Sequence, residues 1–386
     1  MRGRVAGLGK NMKVTHLLTF FEPAYAGGIQ RYVSEVARLQ RRAGIDASVM
    51  TVTLPVGLRP VIPDSTAAEW NSENQELPVT AKNALGIFYR TPVCFSLFSD
   101  LRHYSGEIIH LHGPSPWLEF ALRAALPRSK LVFTVHNSYP GTTLVERWLS
   151  RQAGNMLQNT MASASAIIAP SRAFLKEIAV DEVLKQYDGR VSIVPPGVNH
   201  SRFFPLDLPR DERLILFVGH PRREKGLHVL IEALTHLPDC RLLVLASVSY
   251  ESGYFREVRR MALEKLGDRV SFSLNPDYRT LLEAYNKAAC VVAPSTGLES
   301  WNLVLLEAAA CGTACVRTGL PSLAWADFAE VASPGDARAL ARSIQGAIEK
   351  RAALEASALR AAAGYSWELT AAKTDAVYEG VMACSS

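Results

Sequence analysis

Two glutamates eight positions apart, Glu299 and Glu307, have the side chains and the setting that point most directly to chemistry. They lie in LESWNLVLLEAAACG, residues 298–312, and Glu307 falls inside an apolar helical pattern. A carboxylate among leucines and alanines is costly unless a partner compensates it, and the hydroxyl groups of a sugar or a ribose are suitable partners. Residues 300–303, at the turn into the helix, can offer backbone N–H groups to the same ligand. The alternative is a structural carboxylate that caps or bridges its neighbours.

A second candidate site is the basic loop in LFVGHPRREKGLHVLIEAL, residues 216–234, a pattern that predicts a strand, a glycine turn and a helix. Its basic side chains are His220, Arg222, Arg223 and Lys225. Three fixed cations and a histidine on one strand-to-helix loop suit a diphosphate. A solvated basic turn is the alternative, which we disfavour because glycines bracket the charges.

The first half of the chain offers a glycine pair and three histidines. Gly27 and Gly28 precede an amphipathic helix, where backbone N–H groups and the helix dipole favour a phosphate, although such a pair is more often only a turn. His110, His112 and His136 lie at or near the ends of two predicted strands. We give equal weight to ligand-binding and structural roles for them. No cysteine or carboxylate stands at metal-ligand spacing around them, so we predict no metal site.

Short runs rich in valine and isoleucine alternate with longer helical patterns, which favours parallel α/β layers. In the first half these predicted strands are VTHLLTF (14–20), ASVMTVT (47–53), EIIHLHG (107–113), KLVFTVH (130–136), AIIAPS (166–171) and VSIVPPG (191–197). The series begins again with RLILFVG (213–219), RLLVLAS (241–247), RVSFSL (269–274), CVVAPS (290–295) and TACVRTG (313–319). We therefore predict two doubly wound α/β domains that face each other across a cleft, with ligands at the carboxyl ends of the strands.

The domain boundary is placed near FFPLDLPRDE, residues 203–212, because this stretch is polar and contains proline. We predict an N-terminal acceptor-binding domain over residues 12–206 and a C-terminal domain over residues 207–364. Residues 365–386 are expected to form a helix that returns to the N-terminal domain. Residues 1–11 are expected to be either a disordered extension or an over-long gene start, since Met12 directly precedes the first predicted strand.

Composition excludes several classes of protein. The chain has 386 residues, of which 48% are hydrophobic and 20% charged, as in a globular protein and unlike a disordered tail. No apolar run reaches the roughly 18–20 residues of a membrane-spanning helix, and the basic start lacks the features of a secretory signal. The 6 cysteines fit no zinc-ligand spacing, so we interpret them as small core residues in a reducing cytoplasm.

Several common motifs are absent from the sequence. No G-x-G-x-x-G or G-x-x-x-x-G-K-[ST] follows a predicted strand, which disfavours a dinucleotide-dependent oxidoreductase and a P-loop ATPase. No two aspartates are spaced as D-x-D, so that carboxylate clamp for a metal–nucleotide complex is missing, and nothing resembles G-x-S-x-G. The chemistry is therefore predicted to come from single groups that loops hold together.

The positive charge is concentrated in the first half of the chain. Residues 1–205 contain 22 Lys and Arg against 15 Asp and Glu, whereas the remainder contains 20 against 22. Arg31, Arg38, Arg41 and Arg42 lie on one predicted helix. Attraction to an anionic membrane surface or acceptor is one interpretation of these charges. A solvated helix face is the interpretation that we favour.

Taken together and in chain order, these loops resemble those of the retaining nucleotide-sugar glycosyltransferases of family 4. The resemblance runs from Met12 to Met382, and its motifs are AGGIQRYVSEVARL, FTVHNS, IIAPSRAF, VPPGVNHSRFFP, VGHPRREKGL, LESWNLVLLEAAACG and YSWELTAAKTDAVYEGVM. It implies the GT-B fold, in which two Rossmann-like domains bind a nucleotide-sugar donor mainly through the C-terminal one. It also implies that no cofactor is needed beyond the donor substrate.

The resemblance implies roles for individual residues of the second half. Glu299 looks like the glutamate that binds hydroxyls of the donor sugar, and Glu307 looks like the one that binds the ribose. The backbone of Trp301, Asn302 and Leu303 would contact the sugar.

Further roles follow on the phosphate and acceptor sides. Lys225 matches the lysine that neutralises the diphosphate, and Gly28 matches the glycine whose amide reaches the same phosphate. His136 matches the histidine beside the reacting sugar and the acceptor. Gly27 and His112 are candidates on the acceptor side.

Three positions depart from the family pattern. His220 stands where the family usually has arginine, which leaves Arg222 and Arg223 as substitutes, although an imidazole and a guanidinium are not interchangeable for a diphosphate. Asn302 stands where glycine is common; since asparagine tolerates left-handed backbone, we expect the turn to survive and the fit of the donor sugar to change. Asn199 stands where aspartate is more frequent, and we assign it no role.

The sequence therefore predicts a cytoplasmic, metal-independent retaining hexosyltransferase with His136, Lys225 and Glu299 as catalytic residues. Its acceptor is left open among glycolipids, polysaccharides and small cyclitols. Peripheral contact with the inner membrane face remains one interpretation of the basic first half, and no nucleic-acid partner is expected. The alternatives are a related enzyme that isomerises or phosphorolyses a sugar, and a catalytically weak sugar-nucleotide sensor or partner subunit. Residues 54–100 match no motif, and their Pro, Asn and Ser content predicts loops that shape the acceptor pocket.

Overall fold

The structure is a computed structural model that describes residues 12–21, 23, 27–55, 64–88, 91–137, 144–178, 185–248 and 252–384. The extension expected over residues 1–11 lies outside these ranges. The chain divides into two compact units. The first unit comprises Met1–Arg59, Glu69–Pro195 and Trp367–Ser386, and the second comprises Pro60–Ala68 and Pro196–Ser366.

The first unit is built on a parallel sheet. In chain order, the strands before residue 196 are β1 (Lys13–Thr19), β2 (Asp46–Thr53), β3 (Val79–Asn83), β4 (Gly86–Phe88), β5 (Thr91–Val93), β6 (Ile108–Gly113), β7 (Lys130–Val135), β8 (Ala166–Ala169) and β9 (Val191–Ile193). β4 and β5 form an antiparallel pair of their own, and the other strands form one sheet in the order β3-β2-β1-β6-β7-β8-β9. Since β2 and β6 flank β1, the strand order reverses beside β1, which is where doubly wound sheets bind ligands.

The second unit contains another parallel sheet. Its strands are β10 (Asp211–Gly219), β11 (Arg241–Ala246), β12 (Val270–Leu274), β13 (Ala288–Ala293), β14 (Cys315–Thr318) and β15 (Glu330–Ala332). They follow the order β12-β11-β10-β13-β14-β15, so the order reverses between β10 and β13. Ile215 and Phe217 of β10 lie in one apolar cluster and Leu216 lies in another. The central strand is therefore buried on both faces, which explains its continuous apolar sequence.

Helices connect the strands of both units. Those before β10 are α1 (Gly28–Ala43), α2 (Asp64–Glu73), α3 (Ser96–Arg102), α4 (Pro116–Ala125), α5 (Leu144–Ser163) and α6 (Arg172–Ile178). Those after β10 are α7 (Leu227–Leu234), α8 (Gly253–Leu266), α9 (Tyr278–Lys287), α10 (Leu303–Ala310), α11 (Ala337–Glu349), α12 (Arg351–Ala362) and α13 (Trp367–Ala383).

The last helix, α13, belongs to the first unit and packs against α1. The Tyr32 hydroxyl lies 3.4 Å from Thr374 Oγ1, and Gln40 Nε2 donates to Asp375 Oδ1 at 2.8 Å. The chain therefore completes the core of its first unit with its final helix.

Residues 196–206 lie with the second unit, whereas the boundary expected from the sequence is at residues 206–207. Val198 and Phe203 are buried in an apolar cluster of the second unit. The ring of Phe203 lies 5.8 Å from that of Tyr285. Val198 and Phe203 therefore join the second core, and the division between the units lies ahead of the polar, proline-containing stretch.

The stretch 54–100 contains regular elements in its described part, which corrects the expectation of loops. α2, β3, the β4–β5 pair and α3 all lie there. β3 is an edge strand of 5 residues with mostly exposed side chains, and the apolar residues of its sequence VTAKN are only a valine and an alanine. A hydrophobic pattern therefore gives no signal for this strand.

Candidate functional site

The carboxyl ends of β10 and β13 bring together two residues that the sequence singles out. β10 ends at Gly219 and leads into the basic loop, and β13 ends at Ala293 and leads into the loop that contains Glu299. The two strands are neighbours at the reversal of the sheet, so their loops meet. Lys225 Nζ lies 2.7 Å from Glu299 Oε1 and 2.9 Å from Oε2. The predicted phosphate ligand and the predicted sugar ligand therefore form a two-point ion pair.

Close backbone contact positions these two loops. Gly226 has a φ of 72°, and a Cβ at this position would lie 1.8 Å from the carbonyl oxygen of Pro294. Only glycine fits this approach and this left-handed conformation. The backbone N–H of Thr296 also donates to the carbonyl oxygen of Glu224 at 2.8 Å. The geometry of the ion pair is therefore set by the backbone as well as by the charges.

Glu299 is the more buried partner of the pair. Its side chain is 8% exposed, against 29% for Lys225. Ser295 Oγ donates to Glu299 Oε1 at 2.5 Å, so a cation and a hydroxyl offset the loss of hydration of this carboxylate. An ammonium group has three donors, and Lys225 directs two of them to Glu299. The third donor suits an anionic ligand.

His220, directly after β10, contributes little positive charge to the basic loop near neutral pH. Burial, followed by repulsion from Arg222, lowers the pKa of His220 to about 4. Its Nδ1 donates to the carbonyl oxygen of Ser247 at 2.7 Å. A neutral imidazole that donates through Nδ1 has no proton on Nε2. The positive charge of this loop therefore comes from its lysine and arginines.

The two arginines of the loop differ in their contacts. Arg223 Nη2 lies 3.2 Å from Glu257 Oε2, and the guanidinium stands 5.0 Å from the centre of the Tyr254 ring. Arg222 Nη1 lies 3.8 Å from Glu224 Oε1, which is beyond hydrogen-bonding distance. Arg222 is thus the better placed of the two to substitute for the arginine that the family pattern would have here.

The turn into α10 has the geometry expected for its asparagine. Asn302 caps the helix with a φ of 67° and a ψ of 81°, in the left-handed region that asparagine tolerates. The carbonyl oxygen of Trp301 accepts a hydrogen bond from Trp325 Nε1 at 2.8 Å. The first N–H groups of α10, including that of Leu303, have no intrahelical acceptor. At this turn, the backbone N–H groups are therefore better suited to a ligand than the Trp301 carbonyl.

Glu307 lies inside α10, where the Tyr285 hydroxyl donates to its Oε2 at 2.7 Å. Burial, and then the negative charge of Glu307, raise the pKa of Tyr285 well above its usual value. Tyr285 therefore keeps its proton and holds the Glu307 carboxylate in one orientation.

In the first unit, the structure joins the predicted histidines to a fourth one, His16. His16 on β1 is the backbone partner of His110 on β6, across the reversal of the sheet. His16 Nδ1 lies 2.9 Å from His112 Nε2, and His112 Nδ1 lies 2.9 Å from His136 Nε2. Burial lowers the pKa of His16 to about 4 and that of His136 to about 3. These rings are therefore neutral near neutral pH.

The spacing of three of these rings is close enough for a shared metal ion. Nitrogen atoms of His16, His110 and His112 all lie within 4.8 Å of one another. Each ring nitrogen has a hydrogen-bonding partner, however, and those of His110 are Tyr378 and Thr134 at 2.6 Å each. Hydrogen bonding therefore accounts for the cluster as described.

Sequence reasoning missed three residues of this cluster, namely His16, Gln40 and Asp375. Gln40 Oε1 lies 2.7 Å from His16 Nε2, and its amide nitrogen contacts Asp375. A histidine in the otherwise apolar strand VTHLLTF was a usable signal for His16. Gln40 and Asp375 gave none, because polar residues on amphipathic helices usually face solvent.

Gly27 and Gly28 stand where the sequence places them, as the N-cap and the first residue of α1. The first turn of this helix contains no acidic residue. Gln30 Nε2 donates to the carbonyl oxygen of Phe20 at 3.0 Å, which ties the helix start to the end of β1. The free N–H groups and the helix dipole suit an anion there.

Among the described residues, ion pairs involve three of the four arginines of α1. These are Arg31 with Glu73 at 3.3 Å, Arg38 with Glu35 at 3.7 Å and Arg41 with Asp46 at 3.3 Å. The side chains of Arg31 and Arg38 are only 23% and 22% exposed, and their partners Glu73 and Glu35 are nearly buried, so this part of the helix is not a fully solvated face. Among the helices that the structure describes, none combines the length and the apolar character that crossing a membrane requires.

Comparison with known proteins accounts for both units. The family profile described as Glycosyltransferase Family 4 matches residues 26–202, and the one described as Glycosyl transferases group 1 matches residues 199–364. The chain belongs to glycosyltransferase family 4. A D-inositol 3-phosphate glycosyltransferase of Xylanimonas cellulosilytica is 28% identical over 400 residues, which cover 92% of this chain and 91% of that relative. A phosphatidyl-myo-inositol mannosyltransferase of Mycolicibacterium smegmatis is 27% identical over 92% of this chain and 90% of its own.

Solved structures place this glycosyltransferase in the GT-B fold. Sucrose-phosphate synthase from Thermosynechococcus elongatus superimposes with a TM-score of 0.76 at 22% identity, over 97% of this chain and 100% of that chain. Anabaena HepE, solved with UDP-glucose, superimposes with a TM-score of 0.72 at 16% identity, over the same shares of the two chains. Two Rossmann-like units are thus confirmed. Because the relatives are transferases by name, a catalytically weak sensor or partner subunit is not favoured.

Proposed function

We propose that this glycosyltransferase moves a hexose-type sugar from a nucleotide diphosphate sugar to an acceptor hydroxyl, with retention of the anomeric configuration. The observation that carries the proposal is the contact between Lys225 and Glu299 at the reversal of the second sheet. A cation suits the diphosphate, and the adjacent carboxylate suits hydroxyls of the sugar that the diphosphate carries. Glu307, held by Tyr285, is assigned to the ribose hydroxyls.

In the proposed reaction, the bond between the anomeric carbon and the diphosphate oxygen breaks while the acceptor oxygen approaches the same face. Lys225 and Arg222 stabilise the negative charge that develops on the leaving diphosphate. Glu299 binds the sugar as positive charge develops at its ring. The acceptor proton passes to the leaving diphosphate, so the products are a glycoside and a nucleoside diphosphate.

On the first unit, the proposal keeps the roles that the family resemblance implies. His136 is assigned to the reacting sugar and the acceptor, and Gly28 to the diphosphate. Gly27 and His112 are assigned to the acceptor side.

The names of two relatives suggest the first acceptors to test. One acts on D-inositol 3-phosphate and the other on phosphatidyl-myo-inositol, and each matches about nine-tenths of this chain. An inositol ring that carries a phosphate is a cyclitol, one of the acceptor classes that the sequence leaves open. We therefore propose an inositol phosphate, free or lipid-linked, as the acceptor.

The experiment begins with a thermal-shift panel of nucleotide sugars, since a ligand that binds the native state raises its melting temperature. The stabilising donor is then incubated with inositol 3-phosphate, phosphatidylinositol or buffer alone. Mass spectrometry identifies the product, and NMR of its anomeric proton gives the configuration. Absence of donor consumption across the panel contradicts the transferase assignment for these donors, and an inverted product contradicts retention.

We also propose that no divalent metal takes part, because Lys225 and Arg222 supply fixed cations for the diphosphate and no D-x-D pair is present. Transfer measured after exhaustive treatment with EDTA should equal that of the untreated enzyme. A loss that magnesium or manganese restores would overturn this part of the proposal.

A further inference from the structure

An unbroken row of hydrogen bonds in the first unit leads from an acid to His136. Asp375 on α13 accepts from Gln40 Nε2 on α1 at 2.8 Å, and Gln40 Oε1 lies 2.7 Å from His16 Nε2. From His16 Nδ1 the row continues to His112 Nε2, and from His112 Nδ1 to His136 Nε2, at 2.9 Å each. Two helices that are far apart in sequence thus connect through two strands to a predicted catalytic histidine.

Asp375, at the far end, fixes the orientation of the next two groups. A carboxylate can only accept hydrogen bonds, so Gln40 donates to it through Nε2 and turns Oε1 towards His16. An amide oxygen can only accept as well. His16 therefore carries its proton on Nε2, and its Nδ1 is an acceptor.

The same logic fixes the two remaining rings, because a neutral imidazole has one N–H and one bare nitrogen. His112 must donate to His16 through Nε2, which leaves His112 Nδ1 as an acceptor. His136 must then donate to His112 through Nε2. Every hydrogen bond in the row is therefore donated in the direction from His136 to Asp375. Each ring has a single N–H group, and the row uses it.

The protonation states that this direction requires agree with the surroundings of the groups. Burial lowers the pKa of His16 to about 4 and of His136 to about 3, and burial followed by the neighbouring histidines lowers that of His112 well below its usual value. The pKa of Asp375 is raised by burial to about 6, with the Gln40 hydrogen bond lowering it and Glu379 raising it. Neutral rings beside an ionised carboxylate are therefore the state expected above pH 7.

We propose that Asp375 and Gln40 are positioning residues that hold His136 in the tautomer with a bare Nδ1, so that this atom accepts a hydrogen bond from a substrate hydroxyl. Among the residues that the structure describes, Nδ1 of His136 has no hydrogen-bonding partner. The reverse direction of the row would put a proton on Nδ1 and turn the same atom into a donor. The claim that a substrate hydroxyl is the ligand rests on the proposed function. The assignment of the His136 tautomer rests only on the row of hydrogen bonds.

The test of the tautomer is NMR of the protein labelled with ¹⁵N-histidine at pH 7.5, because bare and protonated ring nitrogens have distinct resonances. The His136 signals are assigned by their loss in His136→Asn. Wild type should show a bare Nδ1 and a protonated Nε2 on His136. A protonated Nδ1 overturns the proposal whether or not the protein transfers sugar, so its failure is separable from failure of the proposed function.

The variant Asp375→Asn removes the group that fixes the direction. An asparagine amide both donates and accepts, so Gln40 can turn over and both directions of the row become populated. If the two directions are equally populated, the NMR spectrum of His136 shows a mixture of both tautomers, and turnover falls about twofold. A rise in the KM of the donor or of the acceptor identifies the substrate whose hydroxyl is bound. An unchanged His136 spectrum in this variant overturns the role of Asp375.

Gln40→Lys and Glu379→Gln complete the set of variants. A lysine at position 40 only donates, so it should reverse the row, protonate Nδ1 of His136 and lower turnover about tenfold, the value of one neutral hydrogen bond. Glu379→Gln removes a charge from the same helix without entering the row, and it should leave both the spectrum and turnover as in wild type. If Gln40→Lys fails to fold, the Asp375→Asn spectrum still decides the proposal.

Discussion

Both carboxylate oxygens of Glu299 face the ammonium group of Lys225, at 2.7 and 2.9 Å. The carboxylate is nearly buried, and the ammonium is partly exposed. Removing one partner of such a pair leaves the other with a charge that is poorly compensated. The effects of changing the two residues should therefore be coupled and should not add.

Lys225→Ala should lower turnover about a hundredfold or more, because the leaving diphosphate loses a fixed cation where its charge develops. The double variant Lys225→Ala with Glu299→Gln should be little worse than Lys225→Ala alone. Steady-state kinetics with the donor found by the thermal-shift panel measures both effects.

The chain offers a matched control for this loss in Lys265→Ala. Lys265 pairs with Glu232 at 2.7 Å in the same unit, but both side chains are about 40% exposed. Exposed pairs contribute little to stability, so this variant should keep wild-type turnover. If Lys225→Ala loses thermal stability while its folded fraction keeps full activity, the pair is structural and the catalytic role of Lys225 is wrong.

The two glutamate-to-glutamine variants should change different kinetic constants. Glu307→Gln should mainly raise the KM of the donor, since a ribose contact is present in the ground state and the transition state alike. Glu299→Gln should mainly lower kcat, because charge develops on the sugar that it binds. A hydrogen bond to a charged group contributes about 1.5–3 kcal/mol, or roughly tenfold to a hundredfold.

Tyr285→Phe is the control for the orientation of Glu307. It removes the hydroxyl that donates to Glu307 Oε2 and keeps the carboxylate charge. The KM of the donor should rise less than in Glu307→Gln. Wild-type turnover in Glu299→Gln would show that the donor sugar is not bound where we place it.

Arg222→Ala should weaken donor binding more than Arg223→Ala does. The guanidinium of Arg223 already contacts Glu257 and the ring of Tyr254, whereas Arg222 has only a long contact with Glu224. Titration calorimetry with the nucleoside diphosphate measures the difference for two arginines that are adjacent in sequence. A larger loss of affinity in Arg223→Ala would assign the missing family arginine to that residue instead.

Sequence reasoning located the central strands because parallel strands buried on both faces are continuous apolar runs. It missed β3, whose VTAKN sequence lies at a sheet edge, and β15, which has 3 residues. Neither strand requires an apolar pattern at its position, so hydrophobic patterning in the sequence could not reveal either of them. The irregular appearance of residues 54–100 has the same cause.

For the candidate site, the sequence supplied residue types and their loops but could not supply contacts. Lys225 and Glu299 were named separately, and only the pairing of β10 with β13 explains why they touch. Asp375 lies 335 positions from Gln40, and no local pattern reports a bond across that separation. Long-range hydrogen bonds of this kind become visible only when the topology is known.

The histidine cluster also makes the stability of the first unit depend on pH. Burial lowers the pKa of His16 to about 4 and that of His136 to about 3, and burial followed by the neighbouring histidines lowers the pKa values of His110 and His112 well below the usual value. In the unfolded chain their pKa values return to about 6.5. Below that pH the unfolded state binds more protons than the native state, so the cluster favours unfolding as the pH falls. Asp375 has the opposite effect, since its native pKa of about 6 exceeds its unfolded value, but it is one group against four.

We therefore expect the free energy of unfolding of the first unit to fall steeply from pH 6.5 to pH 5. With a net difference of about three protons and about 1.4 kcal/mol per proton and pH unit, the slope from this cluster approaches roughly 4 kcal/mol per pH unit. Urea unfolding at a series of pH values measures the slope. His110→Asn should make the slope shallower by about one proton. A free energy of unfolding that stays constant from pH 7 to pH 5 would mean that these rings are not held neutral by burial, and the direction assigned to the hydrogen-bonded row would lose its basis.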